Sequence, residues 1–132
     1  MVIVDTNILV DVLADDPQWM EWSAGRLREQ GRIRELAINP VIYAELATMF
    51  DAMEKLDGVL AGMEIGVKKI PRAALFLAGK AFVRYRKGGG SKSGVLADFF
   101  VGAHAAVSGC PILTRDPRRY KNYFPTVGLI SP

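Results

Sequence analysis

A chain of 132 residues, half of them apolar, can bury the core of one compact domain over residues 1–132 without staples, and its single cysteine, Cys110, has no partner for a disulfide. Its 17 bases and 14 acids give a formal charge of +3, a balance that by itself favours solubility and names no partner. A charged residue interrupts every helix-length window, which excludes a span of about 20 apolar residues. The lack of a charged-then-apolar leader before Val2 predicts a cytoplasmic protein.

Val2-Ile3-Val4 reads as a short buried strand ending at Asp5, after which Thr6-Asn7 opens a helix with Ile8, Leu9, Val12 and Leu13 on its apolar face. Asp16-Pro17 is a cap followed by a first-turn proline, predicting a second helix through Trp19, Trp22 and Leu27 that Gly31 ends. The two helices are expected to form a hairpin. Leu36-Ala37-Ile38 is a second strand, and Asn39-Pro40 repeats the cap signal for a helix carrying Val41, Ala44, Glu45 and Met49. Residues 51–65 look helical, 68–70 are a strand candidate, and Pro71 opens a helix to about Lys87. Residues 88–94, Gly-Gly-Gly-Ser-Lys-Ser-Gly, read as a mobile loop. Leu96 to Val107 forms an apolar helix, residues 111–114 a strand, Asp116-Pro117 a turn or helix start, and residues 127–130 a last strand. Short apolar strands alternating with helices predict an α/β fold with a parallel sheet covered on both faces, whose ligands bind beyond the carboxyl ends of the strands. Asp5 and Asp116 both lie at or just past such ends.

Asp98 is the sharpest chemical signal. Apolar neighbours surround it on every helical face, and no Arg or Lys stands three or four residues away to compensate an ionised carboxylate. A metal ion would compensate it; a position in the wet first turn after Ser93 is the plainer alternative. Glu45 sits near the core side of its helix, yet a lone glutamate is ordinarily a solvated one. Asp5 and Asp116 each have a capping role as their simpler explanation. Four acids from four elements suit oxygen coordination of a hard divalent cation. One histidine and one cysteine exclude a histidine-rich zinc site, a cysteine cluster and a two-histidine ribonuclease. His104, between Ala103 and Ala105, reads as a core residue. There is no phosphate-binding glycine motif. Phosphodiester hydrolysis by metal-activated water fits this equipment without a protein nucleophile, whether one ion or two are used. With the four acids neutralised, 17 bases face about 10 acids, a surface suited to a polyanion.

The segments Val4-Asp5-Thr6-Asn7-Ile8-Leu9, Glu45, Ala97-Asp98-Phe99-Phe100-Val101-Gly102-Ala103-His104-Ala105 and Leu113-Thr114-Arg115-Asp116 come in an order and spacing that resembles the PIN-domain nucleases. Among these the chain is most similar to the VapC-type toxins of toxin–antitoxin pairs. The resemblance implies a three-layer α/β/α sandwich, Mg²⁺ or Mn²⁺ held by Asp5, Asp98, Glu45 and Asp116, and endonucleolytic cutting of RNA. It places Thr6, Asn7 and Thr114 as polar support beside the metal, and it implies a VapB-type antitoxin and a homodimer as partners. His104 departs from the pattern, standing where a small apolar residue is usual.

Arg84, Arg86, Lys87, Lys92, Arg115, Arg118 and Arg119 flank the acids in sequence and are candidates for holding RNA phosphates, with Tyr85 or Tyr120 stacking a base; for any one of them a solvated surface is the alternative. Arg26, Arg28, Arg32 and Arg34 form a second cluster of open role. Trp19, Met20 and Trp22 belong to the core or line a groove. Two rival readings stand beside the nuclease. A phosphorylated receiver or phosphatase lacks its D-x-D pair and placed lysine here, and a catalytically inactive PIN-like module would bind RNA or protein without cutting.

Overall fold

The computed structural model describes residues 1–92 and 95–132. Its five strands form one parallel sheet in the order β3-β2-β1-β4-β5, namely Ile65–Val67, Leu36–Ile38, Val2–Val4, Ile112–Leu113 and Leu129–Ile130. The helices α1 (Thr6–Leu13), α2 (Met20–Ile33), α3 (Pro40–Ala47), α4 (Met53–Gly62), α5 (Arg72–Lys87), α6 (Leu96–Ser108) and α7 (Arg118–Tyr123) cover it, making a three-layer α/β/α sandwich. Parallel strands need crossovers, and the helices supply them. Among the described residues no helix is long and apolar enough to cross a membrane.

β1 is central because its three residues, Val2, Ile3 and Val4, are apolar on both faces; all are fully buried, each such burial stabilising by roughly 1.5–3 kcal/mol. From β1 the chain winds outward through β2 to β3, then crosses back to place β4 on the other side of β1. That reversal opens a crevice between the carboxyl ends of β1 and β4. The register pairs Ile3 with Ile112 and Val4 with Leu113, and the Asp5 amide donates to the Leu113 carbonyl at 2.9 Å. Asp5 therefore emerges directly beside the segment that carries Thr114 to Asp116.

Asn39 caps α3 as its sequence predicts, accepting from the amides of Val41 and Ile42, each at 3.0 Å, with Pro40 as the first helical residue. Three segments differ from expectation. Asp16 accepts from Gln18 and Trp19 within a separate turn, so α2 opens only at Met20. Gly31 does not end α2, which runs to Ile33. A helical glycine only weakens a helix, and this one packs against the Leu36 side chain. The third strand is Ile65–Val67 and not 68–70. Glu64, at φ 57°, turns the chain out of α4, and Ile65 then pairs with Leu36, while Lys68 beyond the strand ion-pairs with Glu35 at 2.9 Å.

The glycine-rich segment is tied down where it is described. The Gly88, Gly89 and Gly90 amides donate back to carbonyls of the last turn of α5, and the Lys92 amide donates to the Tyr85 hydroxyl at 3.2 Å. Ser93 and Gly94, the end of the expected mobile loop, lie outside the described residues.

Candidate functional site

The crevice between β1 and β4 holds a pocket of about 310 Å³ whose walls include Asp5, Glu45, Asp98 and Asp116. A larger cavity of about 410 Å³ lies between α2 and the β2–β3 edge, but Leu27, Leu36, Met63 and Ile65 dominate its walls, with Arg28 and Arg32 at the side. Size favours the apolar cavity; chemistry favours the carboxylate pocket.

Asp5 is buried and caps α1, its Oδ1 accepting from the Thr6 amide at 2.8 Å. Its Oδ2 accepts from the Thr114 hydroxyl at 2.8 Å and the Tyr120 hydroxyl at 2.9 Å, with the Asn7 amide group at 3.5 Å. Burial pushes its carboxyl up to about 6, against the pull of the Thr114 and Tyr120 hydrogen bonds, and the charge of Asp98 adds to the rise. The same burial, with Asp5 alongside, raises the Tyr120 phenol well above its ordinary value. Thr6, in the first turn of α1, donates its hydroxyl to Glu45 Oε1 at 2.6 Å. Glu45 is exposed on α3, not on the core side as expected, because the buried face of that short helix is taken by Ile42 and Leu46. Asn7 bridges the crevice, donating to Thr114 at 3.3 Å and accepting from the Arg115 amide at 3.1 Å.

Asp98 lies in the first turn of α6 with its side chain 36 % exposed, and it is ion-paired to the Arg119 guanidinium. The compensating cation that is missing along the helix comes from α7, 21 residues away. Burial still raises the Asp98 carboxyl; Arg119 opposes that rise and Asp116 adds to it. Asp116 is exposed and has a single ion-pair neighbour among the described residues, Arg118 at 3.6 Å. The four acids thus share one pocket, but among the described residues no three stand close enough to share one ion.

The basic candidates divide three ways. Arg115 is no free phosphate ligand: it forks onto Asp11 with two 2.8 Å hydrogen bonds and lies over the Trp19 ring at 5.3 Å. Asp11, 1 % exposed, also accepts from Ser23 at 2.7 Å. Arg119 is held by Asp98. Lys92 and Arg118 line a neighbouring cavity, whereas Arg84, Arg86 and Lys87, at the exposed end of α5, line neither pocket at the acids. No base can stack on Tyr120, which is buried, or freely on Tyr85, which is packed among Phe82, Phe99 and Tyr123. His104 is a core residue, its Nδ1 3.4 Å from the Asn39 amide nitrogen, and burial lowers its basicity. Sequence reasoning offered Tyr120 as a base-stacking candidate and missed its hydrogen bond to Asp5, and it missed Asp11, which holds Arg115 at the pocket wall. Asp11 stands between Val10 and Val12 on an apolar helix, four residues after Asn7, a signal available but unread; nothing adjacent to Tyr120 points to Asp5.

The chain matches the family model described as PIN domain over residues 2–125. No curated protein matches it. Among solved structures it is similar to VapBC2 from Rickettsia felis bound to a DNA fragment from their promoter, with a TM-score of 0.75 at 18 % identity, covering 100 % of this chain and 99 % of that one. VapBC-1 from nontypeable Haemophilus influenzae gives 0.71 at 17 % identity, with 99 % and 98 % covered. A toxin–antitoxin complex from Klebsiella pneumoniae gives 0.70 at 18 % identity, with 96 % and 95 % covered. At these identities the likeness speaks for the fold, and the family match over almost the whole length speaks for descent: the chain belongs to the PIN domain family.

Proposed function

We propose that residues 1–132 act as one PIN domain that hydrolyses RNA phosphodiester bonds with Mg²⁺ or Mn²⁺, in the cytoplasm, as the toxin of a toxin–antitoxin pair. The observation that carries this reading is the set of four carboxylates, from the ends of β1 and β4 and from α3 and α6, facing one pocket at the sheet's topological reversal. Carboxylate oxygens without histidine or cysteine fit a hard divalent cation, and Asp5, Asp98, Glu45 and Asp116 would hold it after drawing together, since among the described residues no three stand close enough to share an ion as they are. Such an ion, when bound, neutralises phosphate charge and makes water nucleophilic at neutral pH.

The protein's own part is positioning and charge. Thr114, Tyr120 and the Thr6 amide fix both oxygens of Asp5, so the carboxylate is aimed before any ligand arrives. Asn7 ties the end of β4 to α1 and keeps Asp116 at the rim. Arg119 holds Asp98 Oδ2 and competes with a cation for that carboxylate; displaced from it, the guanidinium would be available to a substrate phosphate. A VapB-type antitoxin and a homodimer are proposed as partners on the strength of the family match and the similar solved complexes.

The Asp98–Arg119 ion pair also favours a second reading, an inactive module that binds RNA or protein. The deciding experiment is cleavage of a mixed single-stranded and hairpin RNA pool in Mg²⁺, Mn²⁺ or EDTA, beside a folded Asp98→Asn variant. Metal-dependent cutting that Asp98→Asn loses supports the nuclease; RNA binding without cutting by either protein favours the module.

A further inference from the structure

Beside the carboxylate pocket lies a second cavity of about 360 Å³, and the two share Asp116 and Arg119 as a common wall. Its other walls are Tyr85 near the end of α5, Lys92, and Arg118, Asn122 and Tyr123 of α7. Lys92, Arg118 and Arg119 against the one acid make this cavity positive where its neighbour is acidic. Its volume is near the lower end of small-ligand sites, which start around 300 Å³, and suits a single nucleotide unit.

The wall is held in place by a clasp. Gly90 lies on the Tyr85 ring so closely that a Cβ would meet ring carbons at 2.4 Å, its amide donates to the Tyr85 carbonyl at 2.9 Å, and the Lys92 amide reaches the Tyr85 hydroxyl. Tyr85 is itself fixed by Phe82, Phe99 and Tyr123. The clasp sets where Lys92 enters the cavity. Arg118, 88 % exposed, has among the described residues only its 3.6 Å ion-pair contact with Asp116 to give up for a phosphate. Asn122 offers an amide that both donates and accepts, the chemistry of base-edge recognition.

The geometry points to this cavity as the subsite for the nucleotide that flanks the cut, with Lys92 and Arg118 on its phosphate and Asn122 reading its base. The assignment rests on the nuclease reading above. A cationic cavity sharing a wall with acids suited to phosphodiester chemistry favours RNA over a protein partner. Gly90 and Tyr85 become positioning residues that act through Lys92.

The test uses the full chain and a pool of single-stranded RNA decamers of random sequence in Mg²⁺, reading the bases at the cut ends, KM and its salt dependence. Asn122→Ala is expected to flatten the base preference at one position beside the cut. Lys92→Ala and Arg118→Ala are expected to raise KM by roughly 3–10-fold and each to lower the slope of log KM against log salt by about 0.7, as for the loss of one phosphate contact on a single strand. Tyr85→Phe is expected to raise KM less than Lys92→Ala and to add nothing to it in the double variant. Arg34→Ala, at the exposed residue just past α2, serves as the control for a lost surface charge. If the wild type cuts and the base preference survives Asn122→Ala while the Lys92 and Arg118 variants match the control, the subsite assignment alone is overturned. No cutting by the wild type overturns the nuclease reading and the subsite with it.

Discussion

Replacing Arg115 by Ala separates a scaffold role from an RNA-binding one. The Asp11 carboxylate is 1 % exposed and accepts both arms of the guanidinium at 2.8 Å; without Arg115 its one remaining side-chain partner among the described residues is Ser23. Leaving a buried charge unpaired costs about 3–5 kcal/mol. The Arg115 side chain is 30 % exposed, so water reaches part of the pair and a loss of about 3 kcal/mol is expected. At roughly 3–4 °C per kcal/mol for a domain of this size, Tm falls by about 10 °C. Urea denaturation followed by circular dichroism measures the loss for Arg115→Ala, Asp11→Ala and the double variant. A coupling of about 2 kcal/mol or more is expected, because the second truncation removes a group the first has already stranded. A coupling below about 0.5 kcal/mol, or an Arg115→Ala variant of wild-type stability, would refute the scaffold role and return Arg115 to the phosphate-binding set.

Tyr120→Phe removes a donor to the Asp5 carboxylate, so the Asp5 pKa is expected to rise above its value of about 6, read by NMR titration of the carboxyl carbon in EDTA. Because the folded-state value is raised, the contribution of Asp5 to stability is full below about 3.8 and is lost as pH rises through about 6; the variant should match wild type near pH 4 and fall behind it at pH 8. Gly102→Ala puts a Cβ 2.3 Å from the buried Phe124 ring and should cost about 2–3 kcal/mol in urea denaturation, with partial recovery in Gly102→Ala/Phe124→Leu. Arg119→Met removes the cation that competes for Asp98, and calorimetry should show Mn²⁺ binding tightened by about tenfold, worth 1.4 kcal/mol; unchanged or weaker binding would refute the competition.

Local chemistry was legible in the sequence wherever a short segment determines it. The β-branched run Val2–Val4, the Asn39-Pro40 cap and the apolar face of α6 each carry their fold in adjacent residues. The third strand was misplaced because Gly66 breaks the apolar run and what selects Ile65 is its pairing with Leu36, a contact 29 residues away. The acids were legible as a set because apolar surroundings or strand ends mark each one, whereas their partners were not. Arg119 on Asp98, Tyr120 on Asp5 and Arg115 on Asp11 depend on where α7 and the end of β4 land, which no local pattern encodes.

The central strand comes before every other element of the domain, yet one of its two neighbours, β4, lies more than 100 residues later in sequence. The hydrogen bond from Thr114 to Asp5 spans 109 residues. At translation rates of 5–20 residues per second, roughly 5–20 s separate the emergence of its two halves. During that interval β1 can pair with β2, but the β4 side of the sheet and the second wall of the crevice do not exist. The pocket is therefore completed only once β4 and α7 have emerged, and until then the chain carries Asp5 and Glu45 without Thr114, Asp116 and Tyr120 beside them.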